Sequence, residues 1–114
     1  MAAPERRVKR RVDASFEISY IHEGDYLISF SRDISVDGMF IYTRTPLPIG
    51  ASTRLSFSVT GLDNPIEVNA KVIWANTHGG KKDNGIGVQF VDPPEQIRET
   101  ILQYVNRVAV LCGI

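Results

Sequence analysis

The chain has 114 residues, of which 43% are hydrophobic and 23% charged, which is room for one domain around one core and excludes a chain too polar to fold. No apolar run approaches the roughly 20 residues that cross a bilayer as a helix, and no apolar stretch follows the N-terminal charges as in a secretory leader. The one cysteine, Cys112, excludes an internal disulfide and a cysteine-based zinc site. A cytoplasmic protein is expected. The net charge of zero is unevenly divided: residues 1–11 carry Arg6, Arg7, Lys9, Arg10 and Arg11 against Glu5, and the remainder holds eight basic against twelve acidic groups. A cationic arm, residues 1–11, thus precedes a mildly acidic body, residues 12–114, and such an arm suits an anionic partner.

Along the body, short runs alternate in polarity with the period of half-buried strands. Val12, Ala14, Phe16, Ile18 and Tyr20 alternate with polar residues, predicting the first strand. His22-Glu23-Gly24-Asp25 reads as a hairpin turn in which Gly24 supplies a positive φ. Tyr26, Ile28 and Phe30 then alternate with Leu27, Ser29 and Ser31 in a second strand that runs to about Ile34. Ser35-Val36-Asp37-Gly38 breaks it, residues 39–43 form a short apolar strand, and Pro46, Pro48 and Gly50 mark a loop. Leu55, Phe57 and Val59 begin a fourth strand, residues 61–65 turn the chain, and Ile66, Val68, Ala70, Val72 and Trp74 give a long fifth strand. Residues 77–84 read as a mobile polar loop. Ile86, Val88 and Phe90 form the last strand, with Gly85 and Gly87 on its other face.

The period then changes. Asp92, Pro93 and Glu95 read as N-cap, first helical residue and capping-box partner. Ile97, Ile101, Tyr104, Val105 and Val108 form one apolar stripe of a helix over about residues 93–111. Six antiparallel strands and a terminal helix predict an all-β fold, a six-stranded antiparallel barrel capped by a C-terminal α-helix. The helix stripe should cover an open end or face of the barrel or pair with another chain.

Few groups converge in the way an enzyme requires. His22 and His78 both fall in predicted loop tips without further ligands in metal-binding spacing, and Cys112 reads as a buried structural thiol. Gly85-Ile86-Gly87 lies in a strand, away from any helix N-terminus that could hold phosphate. No enzyme activity, metal or cofactor is expected.

Two features carry chemistry: Arg6-Arg7-Val8-Lys9-Arg10-Arg11 before the first strand, and Asp33-Ile34-Ser35-Val36-Asp37-Gly38 at the end of the second. Antiparallel pairing across the Gly24 turn sets the start of one strand beside the end of the other, so the two features meet at one corner. Arginine makes paired hydrogen bonds to phosphate and to the O6 and N7 of guanine, and its plane stacks on a base. A carboxylate accepts from guanine N–H groups, a serine hydroxyl does both, and glycine admits a close approach. Such a corner suits a ligand having both guanine and phosphate. Alone, Asp33, Ser35 and Gly38 would make only a turn.

Arg-x-x-x-Arg before a first strand, followed by Asp-x-Ser-x-x-Gly, resembles the signature of PilZ domains. The likeness extends over roughly residues 6–111, including Val72-Ile73-Trp74 and residues 85–90. The resemblance implies a bacterial receptor for cyclic di-GMP without catalytic activity. Asp33, Ser35 and Gly38 match its second motif. The arginine motif fits in two registers, Arg6 with Arg10 or Arg7 with Arg11. Family members usually place the second arginine directly before the strand, which favours Arg7 and Arg11 and leaves Arg6 and Arg10 as helpers on phosphate or on a stacked ligand dimer. Trp74 is in phase with Val72 and Ala70, which places it in the core, with ligand stacking as the alternative. The expected mechanism is ordering of the arm over the corner, read in trans by a protein partner in motility, polysaccharide export or development. The domain is expected as a monomer or weak homodimer. The rivals are a PilZ-like protein adaptor that binds no nucleotide and a small basic-armed barrel that binds nucleic acid.

Overall fold

The computed structural model describes residues 11–44, 46–59, 64–76 and 84–111. Arg6, Arg7 and Arg10, His78, Cys112, the turn after Val59 and the loop after Asn76 lie outside them.

The elements follow in the order β1 (Val12–Asp13), β2 (Glu17–His22), β3 (Asp25–Ile34), β4 (Gly38–Tyr42), β5 (Ser52–Phe57), β6 (Ile66–Asn76), β7 (Gly85–Phe90) and α1 (Glu95–Leu111). Six strands close a ring in the order β3-β2-β5-β6-β7-β4, with β4 returning to β3, and every pairing is antiparallel. The short β1 adds a seventh strand beside the end of β3. Inside the ring Ile18, Tyr20, Met39, Ile41, Leu55, Val72 and Ile86 are among the residues almost wholly removed from water, and this apolar burial is the main force holding the barrel. The six-stranded barrel and terminal helix expected from the alternation are present.

The seventh strand arises because the expected first strand is interrupted. Asp13 pairs with Asp33 but Glu17 pairs with Phe30, so one extra residue is inserted between them. This is a β-bulge. The buried Ser31 hydroxyl stands in the gap, accepting from Phe16 N–H at 2.9 Å and donating to the Ala14 carbonyl. The β2–β3 turn is as expected: Glu23 (φ 51°) and Gly24 (φ 86°) are both left-handed, the combination a type I′ hairpin requires.

Helix α1 begins two residues later than its capping pattern suggests. Arg98 N–H donates to the Pro94 carbonyl at 3.0 Å, so Pro94 and not Asp92 precedes the first helical turn. Asp92 sits at φ 44° and turns the chain instead. The apolar stripe covers the barrel end: Ile101, Val105 and Ala109 are buried, Ile97, Tyr104 and Val108 pack on the same core, and the Tyr104 ring lies 5.3 Å from Phe16. Burial pushes the Tyr104 phenol up, against an opposing pull from Arg107. Among the described residues no helix is long and apolar enough to cross a membrane.

Candidate functional site

The β3 strand carries a second bulge. Ser31 pairs with Ile41 but Asp33 pairs with Phe40, so Arg32 is the added residue. Ile34 and its partner Met39 point into the core. Asp33, one residue earlier, therefore points out of the barrel, as does its partner Phe40. Register extends this into one lateral row across the outer wall: Asp13, Asp33, Phe40, Gly87 and Trp74, each the Cα partner of the next.

The row is chemically graded. At one end the Asp33 carboxylate, whose side chain is only 9% exposed, accepts from Arg11 Nη1 at 2.9 Å and from Arg32 Nε at 3.0 Å. The Arg32 guanidinium also lies 4.0 Å over the Phe40 ring, a cation–π contact. Phe40 meets Trp74 at 5.5 Å and Tyr42 edge-on at 5.6 Å between ring centroids. Gly87 carries no side chain between the two larger rings, and a Cβ there would touch Trp74. The result is a carboxylate held by two arginines beside an aromatic floor with Trp74 47% exposed.

The last residue of the basic run reaches the expected corner. Arg11 stands directly on Asp33. Arg6, Arg7 and Arg10 lie outside the described residues, so of the two arginine registers only Arg11, the second arginine of the Arg7–Arg11 register, is seen.

The second motif is built as a tight turn. Ser35 N–H donates to the Gly38 carbonyl at 2.8 Å, and the buried Ser35 hydroxyl accepts from Asp37 N–H at 3.2 Å. Gly38 is required by packing: a Cβ there would stand 2.0 Å from the Val88 carbonyl oxygen of the neighbouring strand. Both residues thus have a folding role, and Asp33 is the member of the motif turned to the outer surface.

Trp74 corrects the core placement. Val72 pairs with Val88 but Trp74 pairs with Gly87, so β6 also bulges, at Ile73. The extra residue reverses the phase. Val72 is buried at 0%, whereas Trp74 faces outward over Phe40.

Arg32 and Phe40 were not singled out from sequence. Phe40 is hidden in a continuous apolar run; it faces outward because Met39 and Ile41 on either side of it lie in the core, and the bulge at Arg32 sets Asp33 opposite it. Among the described residues no cluster of three or more histidine, cysteine or acidic side chains could hold a metal ion.

The sequence model of the PilZ domain family matches residues 5–107. The chain belongs to the PilZ family. Solved structures agree in fold. The Bacillus subtilis inhibitor of motility, MotI/DgrA, superposes with a TM-score of 0.78 at 22% identity over 93% of this chain, which spans about half (52%) of that protein. The PilZ domain of Escherichia coli YcgR, solved with c-di-GMP, superposes with a TM-score of 0.69 at 14% identity over 94% of each chain. The PilZ domain of CeSA from a cellulose-synthesizing bacterium gives 0.64 at 14% identity, over 84% of this chain and 94% of that domain. No curated protein shows significant sequence similarity to the chain.

Proposed function

We propose that this PilZ domain is a non-catalytic receptor for cyclic di-GMP that passes the signal to a protein partner in trans. The observation that carries the reading is the Arg11–Asp33 pair at the head of an outward aromatic row. It joins a guanidinium able to grip phosphate or a guanine edge, a carboxylate able to accept from guanine N–H groups, and a flat exposed ring for stacking. The likeness in fold to the YcgR domain solved with c-di-GMP agrees with it.

The energetics favour a site that opens. The Arg11 side chain is 46% exposed, so its pair with Asp33 contributes at most about 1 kcal/mol. A doubly anionic ligand can displace it at little cost. In this mechanism Arg7 and Arg11 take the ligand, Arg6 and Arg10 assist on phosphate, Asp33 reads guanine and Trp74 stacks. Ser35 and Gly38 act by holding the turn that carries Asp33. As Arg11 exchanges Asp33 for ligand, the chain before it changes course, and that altered surface is what the partner reads. The cytoplasm, where the nucleotide is made, is the matching compartment.

Calorimetric titration of the 114-residue chain with cyclic di-GMP, with GTP and cyclic GMP as controls, tests the reading. Saturation at one or two ligands per chain supports it and separates a single ligand from a stacked pair. Absence of heat and of thermal stabilisation overturns it in favour of a protein-contact adaptor, the second reading, which the exposed Tyr26, Ile28 and Phe30 side chains favour.

A further inference from the structure

Two guanidinium groups hold the one Asp33 carboxylate, and they are anchored differently. Oδ1 accepts from Arg11 Nη1 and Oδ2 from Arg32 Nε. The two arginine side chains are about equally exposed. Arg11, however, stands ahead of β1, whereas Arg32 belongs to β3 and is tied by backbone and side chain alike. Its carbonyl accepts from Ala14 N–H at 3.0 Å, its Nε donates to Asp33, and its guanidinium lies over the Phe40 ring. The bulge makes this possible. Successive residues of a regular strand point to opposite faces, which would keep the Arg32 and Asp33 side chains apart. Here Ser31 and Ile34 are both buried, and the two residues between them share the outer face. The added residue therefore sets a cation beside the carboxylate from its own strand.

We propose, on the receptor reading above, that Arg32 is the positioning residue of the nucleotide site: it stays on Oδ2 of Asp33 while Arg11 is exchanged for ligand, and it keeps Oδ1 directed at the base. The Asp33 side chain is only 9% exposed, and a carboxylate so far from water is costly to leave unpaired. With Arg11 as its sole partner, Asp33 would resist giving Arg11 up. With Arg32 fixed in place, Arg11 is free to turn to phosphate and Asp33 keeps a counter-ion. The same residue thus lets the arm respond and holds the carboxylate still as it does so.

The consequence is selectivity for the base. Guanine offers N1–H and N2–H donors to a carboxylate oxygen. Adenine in the same place sets the lone pair of its N1 against that oxygen, and a site built to receive a donor rejects a group that lacks it. This discrimination needs an oxygen of fixed direction. Arg32 supplies it through one planar group that meets both Oδ2 and the Phe40 ring, a geometry that a lysine ammonium cannot reproduce.

Calorimetric titration of the full chain with cyclic di-GMP and with cyclic di-AMP, which differs at the bases alone, tests this in wild type, Arg32→Ala and Arg32→Lys. Wild type should prefer the guanine ligand. Arg32→Ala should lose about tenfold of that preference, the worth of one hydrogen bond to a charged group, with little change in melting temperature because Arg11 still pairs Asp33. Arg32→Lys should bind both ligands more tightly than Arg32→Ala does, yet leave the preference low. Without ligand, Arg11→Ala and Arg32→Ala together should lower the melting temperature by more than the two single changes summed, and Asp33→Asn added to them should recover part of the loss. An Arg32→Ala chain as selective as wild type overturns this role alone. So does an equal loss of both ligands that Arg32→Lys restores, which marks plain attraction of charge, and so does strict additivity of the two arginine changes. A wild type that binds neither nucleotide overturns the receptor reading and this role with it.

Discussion

The two halves of β3 follow opposite rules. Its second half, from Ser31, is bound on all sides: Ser31 is buried in a bulge, Asp33 is held by Arg11 and Arg32, and Ile34 lies in the core. Its first half exposes Tyr26, Ile28 and Phe30 and buries little beyond Leu27 and Ser29. One strand thus joins a fixed polar corner to an open apolar face. Local order here comes from hydrogen-bonded turns and bulges, while large apolar side chains remain available for contact.

Substitutions in the fixed half of β3 and in the turn and arm residue that meet it should be the most damaging. Gly38→Ala drives a Cβ to 2.0 Å from the Val88 carbonyl oxygen and should cost about 3 kcal/mol or more, seen as a large fall in melting temperature. Ser31→Ala leaves the Phe16 N–H and the Ala14 carbonyl without their hydroxyl partner and should cost about 2 kcal/mol in chemical denaturation. Arg11→Ala should weaken cyclic di-GMP by about 1–3 kcal/mol in calorimetry, while stability changes little because its ion pair is half-exposed. In the open half, Tyr26→Ser and Phe30→Ser should each change unfolding free energy by less than about 0.5 kcal/mol. A loss comparable to Ser31→Ala would show that this face is part of the monomer's core.

Much of the barrel was legible because its strands alternate cleanly and because Glu23-Gly24 closes a hairpin of one register. That hairpin sets Arg11, the last residue of the basic run, beside Asp33. The bulges were not legible. Each inserts one residue, at the β1–β2 junction, at Arg32 and at Ile73, and neither polarity nor propensity marks the insertion. The consequences fall on the site. The bulge at Ile73 turns Trp74 from the core to the surface, and the bulge at Arg32 aligns Asp33 with Phe40. The cation–π contact between Arg32 and Phe40 follows from that alignment and has no sequence signature of its own. The late start of α1 has a similar cause: the capping pattern at Asp92 was present, but the chain uses Asp92 at positive φ to turn.

Trp74 is the only tryptophan in the chain, so its emission reports on the outer row directly. Titration of the intrinsic fluorescence with cyclic di-GMP should give a saturable change in wild type, with the same midpoint as calorimetry, and a midpoint shifted to higher ligand concentration in Arg11→Ala and Asp33→Ala. Calorimetric binding with unaltered Trp74 emission would place the ligand elsewhere on the molecule and contradict the assignment of this site.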